Sequence, residues 1–102
     1  SSVKVALVSA DTGKVVARTQ SPDVEMGISS PQLGWAEQDP EIWWDHLRLA
    51  SQQLSQCYPQ QMKLVRAIGV SYQMHGLVVL DKNRKVLRPS IIWCDSRAVG
   101  TG

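Results

Sequence analysis

The hydrophobic pattern starts at once. Val3 to Ser9 is β-branched and apolar, with Lys4 interrupting one face, and predicts a strand. Asp11-Thr12-Gly13-Lys14 supplies turn residues, Gly13 being free to take a positive φ. Val15 to Thr19 reads as the returning strand, so residues 3–19 predict a β-hairpin. From Gln20 to Gln38 periodicity disappears among Ser, Pro, Gly and Gln, which predicts a long loop.

The next segment carries helical spacing. Trp43, Leu47, Ala50, Leu54 and Cys57 recur at intervals of three and four and predict one apolar stripe. Asp39 is placed to cap the free amide groups, Pro40 suits the first helical position, and Glu41 suits the positive end of the dipole. Tyr58-Pro59 ends the helix. Trp35 and Trp44 are expected to pack it against the preceding loop.

Val65 to Ser71 is a short apolar run with one charge, Arg66, and predicts a buried strand. Tyr72 to Gly76 is polar. Leu77 to Leu80 is strand-like, Asp81 to Arg84 a turn, and Val86 to Trp93 a further strand. Pro89 has no amide hydrogen, which puts that strand at an edge or bends it there. Residues 94–102 resemble the start of a helix. The order of hairpin, loop, helix, strand and hairpin makes the fold class α/β, a mixed sheet with hairpins and one clear helix.

Composition narrows the class without choosing a function. The 102 residues, 43% hydrophobic and 20% charged, are those of one ordinary globular domain. A net charge of +2 says little about partners, no apolar run reaches membrane-spanning length, and neither nucleic acid nor membrane is expected as a partner. Lys82, Arg84, Lys85 and Arg88 flank a turn, and a solvated hairpin tip is favoured over a phosphate patch. Cys57 and Cys94 form no CxxC pair and no zinc spacing with His46 or His75, so two free thiols and a cytoplasmic location are expected. The opening Ser1-Ser2-Val3 lacks an initiator Met and runs straight into a strand, as a fragment would.

Two polar segments sit where strands end, the usual place for α/β sites. In Ser71-Tyr72-Gln73-Met74-His75-Gly76, Gln73 offers donor and acceptor and His75 two nitrogens, which suits a polyhydroxylated ligand. The alternative is that both satisfy backbone groups in a tight connection. In Trp93-Cys94-Asp95-Ser96-Arg97, an indole face suits the C–H side of a sugar, and Asp95 and Arg97 suit hydroxyls or each other. The alternative is a core Trp93, with Asp95 a helix cap and Arg97 on the surface. Taken alone, Trp93 reads better as core. His46 reads as a bystander on the polar flank of the helix.

Three segments in register resemble the FGGY family of carbohydrate kinases. They are Gly34-Trp35-Ala36-Glu37-Gln38-Asp39-Pro40-Glu41-Ile42-Trp43-Trp44, Ala67 to Leu77, and Val86 to Arg97. Gln73-Met74-His75-Gly76 is similar to the loop of the xylulokinase branch. The resemblance implies an actin-like, ribonuclease-H-like fold, of which residues 1–102 would be an N-terminal fragment of the sugar-binding domain, with the ATP-binding C-terminal domain absent. It implies phosphoryl transfer from ATP, with Mg2+, to a ketopentose, D-xylulose giving D-xylulose 5-phosphate. It makes Met74, His75 and Trp93 sugar contacts, and Gln73, Asp95 and Arg97 further candidates. Ser1 and Ser2 match the end of the family's phosphate loop. The catalytic base, an Asp, would lie downstream, leaving no catalytic residue in this segment and the segment inactive by itself. Tyr72 departs from the Gly of many relatives and would narrow the approach to the sugar. The other readings are a kinase for L-ribulose, L-fuculose or glycerol, and a non-catalytic ligand-binding or interaction module. A free strand edge beside Val3–Ser9 would also favour a homodimer.

Overall fold

The computed structural model describes residues 1–101 and divides them into two compact units. One comprises Ser1–Met26 and Trp43–Val70; the other comprises Gly27–Ile42 and the chain from Ser71 onward.

In the first unit, β1 (Val3–Val8) and β2 (Val15–Ser21) form the expected antiparallel hairpin, from Val3 opposite Ser21 to Val8 opposite Val15. Gly13 adopts φ 69° in the connection, and its amide donates to the Ser9 carbonyl. Alternation places Val3, Val5 and Leu7 on the inner face with Ala17, Thr19 and Ser21. Helix α1 (Pro40–Cys57), of which Trp43–Cys57 belongs to this unit, begins as its sequence dictates, the Asp39 carboxylate accepting the Glu41 amide at 3.0 Å. Two side-chain bonds tie α1 to β2: Thr19 Oγ1 donates to the Ala50 carbonyl at 2.8 Å, and Ser21 Oγ lies 2.8 Å from His46 Nδ1. His46 is therefore a brace, a correction to its reading as a bystander.

The apolar stripe of α1 is narrower than its spacing predicts. Ala50 and Leu54 are buried and Trp43 half-buried, while Leu47, Cys57 and Trp44 are exposed. A two-stranded hairpin covers only the middle turns of an 18-residue helix. A short helix, α2 (Pro59–Lys63), follows. Val65–Ser71 forms no strand, and Ile68 is 85% exposed. A strand needs a ladder on at least one edge, and no described residue offers one to this run.

The second unit is built on two strands of two residues, β3 (Glu37–Gln38) and β4 (Ser90–Ile91), paired antiparallel. Single bridges add Ser29 beside Glu37 and Leu77 beside Ile91, giving the order 29, 37, 91, 77. The stretch from Gln20 to Gln38 is thus not a plain loop: it finishes β2 and contains β3. The tip at Asp81 to Lys85 forms as expected: Asp81 Oδ1 accepts the amides of Asn83 and Lys85, and Arg84 takes φ 65°. Only bridges, not full strands, link its arms. One residue separates Val79 from Leu77, whereas three separate their partners Leu87 and Ile91. Pro89 lies in that irregularity, where its missing N–H costs no ladder bond. Residues 96–101 form i→i+3 turns instead of a helix, and Gly100 at φ 96° terminates them; residue 102 lies outside the described residues.

Candidate functional site

The bridge between Leu77 and Ile91 brings together the two polar segments. Because the pairing is antiparallel, the chain leading into Leu77 (Gln73 to Gly76) and the chain leaving Ile91 (Ile92 to Arg97) lie at the same end of the pair. The Leu77 amide donates to the Ile91 carbonyl at 2.9 Å.

The two segments differ in how they are held. Gln73, Met74 and His75 are exposed, Met74 at 68%. Among the described residues no group hydrogen-bonds the side chains of Gln73 or His75, so neither acts as a backbone tie. His75 adopts φ 62°, a left-handed conformation uncommon outside glycine and found disproportionately at binding sites.

Trp93 occupies a tight turn from Ile92 to Asp95, closed by the Asp95 amide on the Ile92 carbonyl at 3.0 Å. Its side chain is 65% exposed, which corrects the core reading of this residue. Both ends of the turn bind one residue of the neighbouring segment. The Ile92 amide donates to the Ala36 carbonyl at 3.1 Å, and the Ala36 amide donates to Asp95 Oδ2 at 2.6 Å. Next along, the Ser96 amide donates to the Gly34 carbonyl at 2.7 Å. Gly34 sits at φ 80°, a backbone conformation that L side chains rarely adopt, which is what favours glycine here; a Cβ would also displace the Ser96 hydroxyl, 2.6 Å away.

Asp95 and Arg97 belong to an ion network centred on a residue that carried no expectation, Glu37. Arg97 donates through Nε to both oxygens of Asp95 at 2.9 Å, and through Nη2 to Asp95 Oδ2 and Glu37 Oε1 at 2.7 Å. Arg88 Nη2 reaches the same Glu37 oxygen at 2.5 Å. The Arg97 guanidinium also stacks 3.8 Å from the ring centre of Trp35. Trp35 thus packs on an arginine, and Arg88 leaves the solvated basic group to pair with Glu37. Hydrogen bonds from Arg97 hold the Asp95 carboxyl well below the usual carboxylate range, against opposing desolvation and with help from the Ala36 and Arg97 amides. The bonds to Asp95 raise Arg97 in turn, again against desolvation. Asp95 is neither a simple helix cap nor free. Glu37 is buried, and nothing local in the sequence signals it: it follows Trp35-Ala36 and opens the polar run Gln38-Asp39.

Ser1 and Ser2 lie at the head of β1, where the Ser1 carbonyl accepts the Met26 amide. They belong to the first unit. Among the described residues no three His, Cys, Asp or Glu side chains cluster closely enough to hold a metal ion between them. Also among the described residues, no helix is long and apolar enough to cross a membrane.

Comparison with known proteins agrees over the whole chain. The model of the N-terminal domain of the FGGY family of carbohydrate kinases matches residues 1–101. Xylulose kinase from Escherichia coli is 39% identical over 97 residues, and that from Streptomyces coelicolor 40% over 98. Each alignment takes in 95% of this chain but only 19% and 18% of the relative. The chain therefore spans about a fifth of the length of these relatives. A crystal structure of a Brucella ovis "xyloylose kinase" superposes with a TM-score of 0.88 at 37% identity, over 96% of this chain and 19% of that one. Xylulose kinase from Rhodospirillum rubrum gives 0.79 at 34%, with the same coverage. With a family model matched almost end to end, and with relatives this similar in both sequence and backbone, the chain belongs to the FGGY family of carbohydrate kinases.

Proposed function

We propose that the chain is the opening part of the sugar-binding domain of an ATP-dependent kinase that phosphorylates a ketopentose, D-xylulose, within an actin-like, ribonuclease-H-like fold. The observation that carries this reading is the convergence at the Leu77–Ile91 bridge of two segments with exposed side chains able to hold a sugar. Met74 and Trp93 offer apolar surface to the C–H faces, and Gln73 and His75 offer hydrogen bonds to hydroxyls. Asp95 and Arg97 spend their hydrogen bonds on protein groups, so their part is to hold the Trp93 turn. Phosphoryl transfer rests on positioning and charge stabilisation, with ATP as donor and Mg2+ bridging its phosphates. In this reading the base, the nucleotide contacts and the metal ligands belong to sequence beyond these residues, apart from Ser1 and Ser2 at the margin of the phosphate loop.

The test uses the full-length polypeptide that carries this chain, with D-xylulose, ATP and coupled detection of ADP. A lost hydrogen-bond partner to a buried hydroxyl costs roughly 1–3 kcal/mol. His75→Ala should accordingly lower kcat/KM for D-xylulose by about ten- to a hundred-fold and leave the KM for ATP in place. Lys82→Ala, exposed at the hairpin tip, is the control. Absence of D-xylulose-dependent ADP release from the wild type would sink the D-xylulose reading. Unchanged sugar kinetics with a lowered melting temperature would make His75 a brace.

A further inference from the structure

The ion network has a geometry that a mere surface cluster would lack. Trp93 is presented to solvent on a turn whose two ends, Ile92 and Asp95, both bind Ala36, the residue directly before Glu37. Glu37 then takes one arginine from each side of β4: Arg88 two residues before it and Arg97 after the turn. Its side chain is 7% exposed, against 17% for Arg97 and 41% for Arg88, so the carboxylate is the buried hub and the arginines its outer partners. Glu37 is also paired in backbone register with Ile91, the residue that bridges to Leu77 at the foot of the Met74–His75 segment. One buried charge therefore fixes β4 at both ends, and with it the spacing between the Trp93 turn and the His75 loop.

We propose that Glu37 is a positioning residue for the sugar site, acting through Arg97 and Asp95 to hold the Trp93 turn at a fixed place opposite the His75 segment. The proposal rests on the reading that Trp93 and His75 contact the sugar. Glu37 itself touches no substrate. An indole held by a braced turn presents its face without the entropic cost of ordering a loop at each binding event. Substrate-positioning errors of about an ångström are enough to cost activity far from the group altered. The arginine fork matters here as well. Arg97→Lys would keep the charge but could not bind Asp95 and Glu37 together with the same planar geometry.

The experiment measures steady-state kinetics of the full-length polypeptide with D-xylulose and ATP, for the wild type, Glu37→Gln, Arg97→Lys and the control Lys82→Ala. Glu37→Gln keeps size and one acceptor oxygen but removes the charge. It should raise the KM for D-xylulose about ten-fold while kcat and the KM for ATP stay within about two-fold. Arg97→Lys should do the same to a lesser degree, and it decides the matter if Glu37→Gln does not fold. Loss of sugar affinity in these variants alone supports the positioning role. An unaltered KM for D-xylulose overturns it, and so does a fall in kcat with a parallel rise in both KM values and a falling melting temperature, the mark of a general disturbance. A wild type with no turnover on D-xylulose removes the D-xylulose reading on which this inference rests, an outcome distinct from an active wild type whose variants match it.

Discussion

Asp95 accepts hydrogen bonds from the Ala36 amide and from both the amide and the guanidinium of Arg97. These bonds favour the ionised carboxyl, so its folded pKa lies below its unfolded value. In acid the unfolded chain therefore takes up a proton that the folded chain refuses. Stability from this group is complete above the unfolded value of about 3.9 and is lost as pH falls through the depressed folded value. Melting temperatures taken between about pH 5 and pH 3 should fall on this account, and Asp95→Asn should flatten that acid limb while melting lower at neutral pH. An acid limb equally steep in Asp95→Asn would show that other carboxylates govern it. At this scale the sequence exposed the chemistry of Asp95 and Arg97, which resemblance and residue type both singled out, and hid Glu37, the carboxylate that Arg97 shares with Arg88. Glu37 lies more than fifty residues away in sequence from either arginine. No local spacing links it to them, and only strand pairing between β3 and β4 brings them together.

Local signals were readable wherever an element is self-contained. The β1–β2 hairpin and the start of α1 depend on alternation, turn chemistry and a cap, all written within a few residues. Elements that depend on distant pairing were misread: β3, two residues long and paired far along the chain with β4, looked like loop, and the apolar run at 65–71, read as a strand, forms none and stays exposed. The Asp81 turn is the clearest test at this level. Its Arg84 amide donates to the Asp81 carbonyl and its Asp81 amide to the Lys85 carbonyl, with Arg84 left-handed at φ 65°. This three-residue loop calls for glycine at the left-handed position. A side chain there costs about 1 kcal/mol, and among the described residues no bond to the Arg84 guanidinium offsets that cost. Arg84→Gly should stabilise the chain by about 0.5–1 kcal/mol in chemical denaturation, whereas Arg84→Val should destabilise it. A stabilising Arg84→Val would contradict this account of the turn.

Over the whole chain, the balance of covered and uncovered apolar surface decides behaviour in solution. Buried apolar side chains are few among the described residues: Ala50 and Leu54 in the first unit, Ala36 and Ile92 in the second. Against them stand exposed Val65, Ile68 and Val70 in the first unit, with Met74, Leu77, Leu87 and Trp93 in the second. Strand β1 has β2 on one edge and no described strand on the other. An open edge beside uncovered β-branched residues is a template for pairing with another chain. The relatives, some five times as long, have ample sequence with which to cover such surface. The 102 residues expressed by themselves should therefore associate, with a weight-average mass in sedimentation equilibrium that climbs above 11.3 kDa as concentration rises through the micromolar range. Charge placed on the open edge should oppose this, because like charges meeting across a new strand pair repel. Ala6→Lys, an exposed position of β1, should lower the association, and Lys82→Ala at the hairpin tip should leave it as it was. A mass fixed at the monomer value across that range would mean that the edge and the 65–70 run protect themselves, and the account of β1 as an open template would fail.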